Sequence, residues 1–288
     1  MPQFTKVEKK ENISYQEFIE DHLKKRVPVV FKSATAAWKS NKIFTPDFFR
    51  KNFNEHKAYP EGVEYTMDKI LDVTKNGSPE NPAPYPILFE IPTHMPKLLE
   101  YLDPVHLNYS RPNWFSSDIL PYGKYGKNVQ LFFGGRGNQY TLHKDFYHTN
   151  AWITQLYGQK KLVVFPDGQE DYLYAGQTGY SSFMSPINIL QPDYEKYPAY
   201  KKATPIEVVL DPGETIFIPN GIWHTTVGMG QNISLIFDQL NAENFSDWCK
   251  DLYTIKKDDS KLKANAIYTM AKGLGGLCKM RQILGAKF

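Results

Sequence analysis

Apolar residues along this chain change their spacing near residue 128 and again near residue 241, so the sequence reads as three stretches. In the first, helix-like and strand-like pieces alternate. Ser14 followed by Glu17 fits a capping box and opens a helix through about Lys25. Val27–Phe31 is an apolar run of buried-strand length. Thr45–Asn52 places Thr at the N-cap and Pro at the first helical position. Thr66–Lys75 predicts a short helix, residues 76–86 a Pro-rich loop, Ile87–Ile91 a strand and Met95–Leu102 a helix.

The second stretch carries short β-type runs separated by Gly, Pro and Asn turns. They are Val129–Phe133, Ala151–Tyr157, Lys161–Phe165, Ile206–Leu210, Thr215–Ile218 and Ile233–Asp238. Many short strands with turn signals predict a barrel or jelly roll. An insertion at 166–203 contains a Tyr-rich stretch, and ordered insertions of that length are often binding loops. In the third stretch, Ala242–Tyr253 and Lys261–Lys272 predict helices. Gly273, Gly275 and Gly276 are expected to break the second, with a short helix following to Leu284. The class is mainly β with flanking helices. The division is residues 1–241, comprising 1–127 and a barrel core 128–241, plus a C-terminal helical appendage 242–288 that packs on the barrel or pairs with a second copy.

Composition changes this picture little. The chain has 288 residues, 15% of them aromatic, which suits a β-rich body with aromatic-lined cavities. A net charge of +3 is too small to argue for nucleic acid. The basic tail from Lys250 to Lys287 also holds Asp251, Asp258 and Asp259, and reads as a solvated helical face. Cys249 and Cys278 lack CxxC spacing, so they predict free thiols in a reducing compartment. The N-terminus has no apolar signal core and no run reaches membrane-span length, so a cytoplasmic protein is expected.

Candidate chemistry lies in three pieces. His143 and Asp145 stand two residues apart beside a predicted strand, where such residues face the same way. His224 follows the segment PGETIFIPNGIW, read as turn, strand and turn, and begins the next strand. Two imidazoles and one carboxylate leave open positions on one side of a metal, the arrangement suited to non-haem iron(II) with a bidentate co-substrate and dioxygen. Lys160, in Gly158-Gln159-Lys160, would neutralise the distal carboxylate of 2-oxoglutarate inside an apolar barrel. His-x-Asp alone is a weak signal; the three pieces in order are a strong one. His148, five residues after His143, falls on the opposite strand face and is set aside.

In these residues the span from about Ile13 to Asn241 resembles the jumonji C proteins of the cupin-like hydroxylase branch. The carrying segments are PVVF, LFFGG followed by LHKD, TNAWITQLYGQKKLVVFP, QPDYEKYPAY and PGETIFIPNGIWH. The resemblance implies a double-stranded β-helix, iron(II) on His143, Asp145 and His224, and 2-oxoglutarate anchored by Lys160, with Tyr140 as a second anchor. It matches Thr149 and Trp152 to the lysyl-hydroxylase-like motif, and Thr149 is taken as a further cofactor-binding candidate. It also implies dimerisation through C-terminal helices. The chain departs from the family in three places. Leu88 stands where an early-strand tyrosine often binds the co-substrate, Asp238 where a late-strand asparagine lies near the metal, and Asn150 only close to a further asparagine.

The implied activity is hydroxylation of a C–H bond, with release of succinate and carbon dioxide. A protein side chain stands as one substrate, with the Tyr-rich insertion at 172–200 and the loop 107–127 forming a peptide groove. A small molecule stands as another. An RNA nucleoside, lysyl demethylation, and a catalytically inactive cupin-fold binding protein are the alternatives. Trp152 and Trp223 read as core or cavity wall, and Arg136 as a surface turn residue.

Overall fold

The computed structural model describes residues 3–102, 107–120, 129–176 and 179–285. Its strands are β1 (Glu8–Lys10), β2 (Val29–Phe31), β3 (Lys57–Ala58), β4 (Tyr65–Thr66), β5 (Ile87–Glu90) and β6 (Gln130–Gly134), then β7 (Asn150–Tyr157), β8 (Lys160–Phe165), β9 (Ile206–Leu210), β10 (Thr215–Ile218), β11 (Trp223–Gly228) and β12 (Asn232–Gln239). A seven-stranded sheet runs β1-β2-β10-β7-β12-β6-β5 and a three-stranded sheet runs β11-β8-β9. Every pairing in them is antiparallel except β1 with β2. The two sheets face each other as the halves of a double-stranded β-helix, as expected.

Strand alternation explains the uninterrupted apolar runs. Val30, Ala151, Ile153, Ile216 and Ile218 of the large sheet meet Leu162, Val164, Val208 and Leu210 of the small one, forming the inner core. Their neighbours Val29, Phe31, Trp152, Phe217, Leu235 and Phe237 point the other way, onto Phe18, Phe44, Phe49 and Ile70 of the N-terminal helices. A sheet covered on both faces needs apolar residues at successive positions. Each large side chain so buried contributes roughly 1.5–3 kcal/mol.

The predicted caps are present. Thr45 accepts from the Phe48 N–H at 3.2 Å and opens α1 (Pro46–Asn52). Thr66 accepts from the Lys69 N–H at 3.4 Å and opens α2 (Met67–Asn76). Ser14 accepts from the Glu17 N–H at 3.0 Å. The box stays half-made, because Lys10 of β1 takes the Glu17 carboxylate at 3.1 Å. The helix there begins as Tyr15–Glu17 and continues as a π-helix, Phe18–Leu23. Met95–Leu102, expected to be helical, contains a 3₁₀ helix, Pro96–Tyr101. Strand β1 has no apolar pattern to announce it; it forms by parallel pairing at the sheet edge, with Lys9 held by Glu214 at 2.5 Å.

Two helices follow the barrel, α3 (Phe245–Lys257) and α4 (Lys261–Ile283). The expected break in α4 does not occur. A helical glycine costs about 1 kcal/mol relative to alanine, which weakens a helix without ending it. Ser260 caps the start, accepting from the Lys263 N–H at 3.3 Å. Gly275 serves packing instead: a Cβ there would lie 2.0 Å from the Phe245 ring of α3. Cys249 and Cys278 are buried free thiols in the cluster that joins these helices to Trp114 and Phe115. On the outer side, Lys250 pairs with Asp247 and Arg281 with Asp118, as on a solvated face. No helix among the described residues is long and apolar enough to cross a membrane.

The glycines of α4 therefore divide by role. Gly275→Ala is expected to destabilise by about 1–3 kcal/mol through overpacking. Gly276→Ala, where a Cβ meets nothing within 4 Å, is expected to stabilise by up to about 1 kcal/mol. Denaturant midpoints of the two variants check this; equal shifts of the same sign would refute it.

Candidate metal centre

His143 and His224 face each other across an isolated antiparallel bridge. The His143 N–H donates to the His224 carbonyl at 3.0 Å, and the His224 N–H returns to the His143 carbonyl at 2.7 Å. This pairing brings the ring centroids to 4.4 Å. On its other edge the His143 segment pairs with the insertion: the Ser185 N–H donates to Leu142 O at 2.8 Å and the Lys144 N–H to Phe183 O at 3.0 Å. Thus His143–Asp145 is an extended stretch gripped on both sides, rather than part of a regular strand. His224 enters β11 from a turn in which Gly221 has φ +75°, and the buried Asn150 side chain accepts from the Asn220 N–H at 2.8 Å to hold that turn.

Each imidazole is fixed by a carbonyl two residues earlier. His143 Nδ1 bonds Thr141 O at 2.8 Å and His224 Nδ1 bonds Ile222 O at 3.0 Å. A carbonyl only accepts, so Nδ1 carries the hydrogen and Nε2 presents its lone pair. The two Nε2 atoms face one carboxylate, His143 at 3.7 Å from Asp145 Oδ1 and His224 at 3.8 Å from Oδ2. One ligand atom from each residue lies within 4.8 Å of the others, and all three side chains are buried. Two neutral imidazoles and a carboxylate on one side of a point suit a divalent transition metal with open positions opposite.

Beside the triad is a cavity of about 150 Å³, with Leu88, Phe132, Ile153 and Ile236 among its apolar walls and Tyr85, Tyr140 and Thr226 among its polar groups. Cross-strand register sets its depth. On β11 and β8, His224 opposes Val164, Thr226 opposes Leu162 and Gly228 opposes Lys160. His224, Thr226 and Lys160 therefore share the inner face, and Lys160 starts four residues, roughly 13 Å, further along. Lys160 is 1% exposed. Its ammonium donates to the Tyr85 hydroxyl at 3.4 Å, and among the described residues no carboxylate is within ion-pair distance of it. Burial pushes its pKa down to about 7. Burial likewise pushes the Tyr85 phenol up, opposed by a hydrogen bond with Thr226.

Of the other candidates, Tyr140 lines the cavity, its ring 4.8 Å from that of His143. Thr149 does not line it. The turn at residues 146–148 bends the chain before β7, and the Thr149 hydroxyl faces Phe146 O at 3.5 Å. Leu88 is a cavity wall, as its alignment requires, but the tyrosine of this wall is Tyr85, missed in the sequence. Its only signal is an aromatic residue at the end of the Pro-rich loop, just before an apolar strand. Asp238 is buried on the same face of β12 as the cavity-lining Ile236, opposite Ala151. Trp152 and Trp223 are buried in the outer clusters and Arg136 is exposed in a turn. His148 is not a ligand, but it sits in a 3₁₀ turn and not on a strand face. Tyr174, Tyr197 and Tyr200 of the insertion pack on the outer face of the small sheet. Residues 121–127 of the proposed groove loop lie outside the described residues.

Two facing sheets with this triad beside their cavity have the layout of a candidate metal centre. Residues 45–238 match the cupin-like domain, and the chain belongs to that family. Of three curated relatives, two are similar over more of its length and one over less. The chicken protein named 2-oxoglutarate and iron-dependent oxygenase JMJD4 is 26% identical, over 84% of this chain and 62% of its own. An Arabidopsis thaliana protein named arginine-specific demethylase JMJ20 is 24% identical, over 93% of this chain and 63% of its own. Human HSPB1-associated protein 1 is 34% identical over 110 residues, 38% of this chain and 22% of its own.

The state of Lys160 is measurable. Burial holds its folded pKa at about 7, below the ordinary lysine value of 10.5. The penalty of a buried charge is full below pH 7 and fades as pH rises toward the unfolded value. Lys160→Met is expected to melt higher than wild type at pH 6.5, with the gap shrinking as pH rises. A gap independent of pH would contradict this.

Proposed function

We propose that this chain is an iron(II)- and 2-oxoglutarate-dependent oxygenase that hydroxylates a C–H bond. The observation that carries this reading is the buried Lys160 ammonium, which lies behind Tyr85, a residue that lines the cavity beside the triad. A lone cation in an apolar site is costly until an anion joins it. A dicarboxylate that chelates a metal at one end supplies that anion at the other. The relatives named as oxygenases and demethylases support the same reading.

His143, Asp145 and His224 would hold the iron. When bound, the ion would supply activation of dioxygen, the oxidant: one oxygen atom enters succinate as 2-oxoglutarate loses carbon dioxide, and the other enters the C–H bond. The chain's own residues do the rest. The Nδ1 anchors fix both rings in orientation, with Nε2 aimed at the metal position. Lys160 takes up its proton and pairs with the distal carboxylate, with Tyr85 and Tyr140 as hydroxyl partners. Leu88, Phe132 and Ile236 exclude water from that pair. The substrate we favour is a protein side chain or a small molecule, ahead of an RNA nucleoside or a methylated lysine. The buried free thiols support a reducing compartment, the cytoplasm.

Purified chain with iron(II) is expected to convert 2-oxoglutarate to succinate, slowly even without substrate. His143→Ala and Asp145→Ala are expected to abolish that turnover. Lys160→Met is expected to raise the KM for 2-oxoglutarate about a hundredfold, the scale of a lost charge-assisted contact. Turnover untouched by His143→Ala would end this reading.

We also infer that residues 1–241 form the catalytic domain that carries every metal-facing and cavity-lining side chain and that the appendage at 242–288 joins two copies. On α4 the exposed residues Met270, Leu277 and Met280 follow one another at intervals of seven and three, with exposed Gly273 between them. That is the spacing of a helix-pairing seam. Light scattering is expected to give twice the chain mass, and Leu277→Asp with Met280→Asp to give the monomer. A monomeric wild type would exclude it.

A further inference from the structure

The turn that follows Asp145 is held from outside the barrel. In Phe146–His148, Tyr147 (φ 61°) and His148 (φ 46°) both lie in the left-handed region. Side chains other than glycine crowd the backbone there, and nothing in Phe-Tyr-His favours two such residues in succession. Contacts from α3 hold them, beside those of the insertion, where the Tyr147 hydroxyl meets that of Tyr180 at 3.3 Å and the His148 ring lies 6.4 Å from that of Phe183. Asp251, buried on that helix, accepts from His148 Nδ1 at 2.5 Å. Asn244, at its N-terminus, donates to His148 O at 2.9 Å and to Gln239 O, at the end of β12, at 3.0 Å. The Tyr147 ring packs in the same C-terminal cluster. The two metal-facing imidazoles are fixed by their shared bridge and their own carbonyls, but Asp145 leads directly into this turn.

We propose that His148 and Asp251 are positioning residues for the metal centre. Together with Asn244 they fix the left-handed turn, and so the placement of the Asp145 carboxylate against the two imidazoles. The first helix of the appendage thus belongs to the metal site functionally, although none of its residues lines the cavity. The proposal rests on the metal reading above.

Cobalt(II) is the probe, titrated into the metal-free full chain and followed by its visible absorption, with melting temperature recorded in parallel. His148→Ala and Asp251→Ala are each expected to weaken cobalt(II) binding about tenfold. The double variant is expected to be no weaker than either single, because both break one contact. Asp251→Asn, which keeps an acceptor for Nδ1–H, is expected to restore affinity to within about threefold of wild type. If Asp251→Ala does not fold, His148→Asn carries the test with the same expected loss. Lower melting temperatures with unchanged cobalt(II) affinity would reduce the contact to a structural one and overturn the proposal, as would losses that multiply in the double variant. A wild-type chain that binds no cobalt(II) would overturn the metal centre and this proposal together, which separates the two failures.

Discussion

The site depends on one antiparallel bridge between chain segments far apart in sequence. His143 and His224 exchange both backbone hydrogen bonds, so the separation and facing of the two rings follow from backbone geometry before any metal arrives. Paired positions on neighbouring strands place their side chains on one face at close range. The Nδ1 contacts then choose the tautomer. Ring orientation and tautomer are both set by main-chain carbonyls, which do not titrate and do not change rotamer.

The Lys160 end of the inner face follows a different logic. Lys160 is placed there by strand register, opposite Gly228, and what it meets is a phenol and not a carboxylate. Its depressed pKa measures how poorly the protein alone accommodates the charge. A fold that wanted only stability would put an apolar residue at that position. The next residue, Lys161, shows the contrast: it faces outward and pairs with Glu207 at 2.9 Å.

Much of this was legible from the residues. The triad, Lys160 and the strands of the barrel follow from spacing, alternation and the family resemblance, because side-chain facing within a strand is a local property. What was not legible depends on contacts between distant segments. Tyr85 reaches Lys160 because β5 lies at the edge of the large sheet beside β6, a matter of topology. The Thr149 hydroxyl faces Phe146 O beside a left-handed turn that no glycine signals. The three glycines of α4 looked like a helix break because propensity is local, whereas Gly275 answers to Phe245 on another helix. His148 was set aside for a reason of strand parity that the turn makes irrelevant.

The large sheet ends on β1, whose residues are Glu8, Lys9 and Lys10. An open strand edge is a template on which further chains can stack, and aggregation starts at such edges. Here the last row carries charges, with Lys9 tied to Glu214 and Lys10 to Glu17. A newcomer adding to that row would have to cover these ions. The strand least visible in the hydrophobic pattern is thus a terminator, protecting the most β-rich part of the molecule from uncontrolled growth.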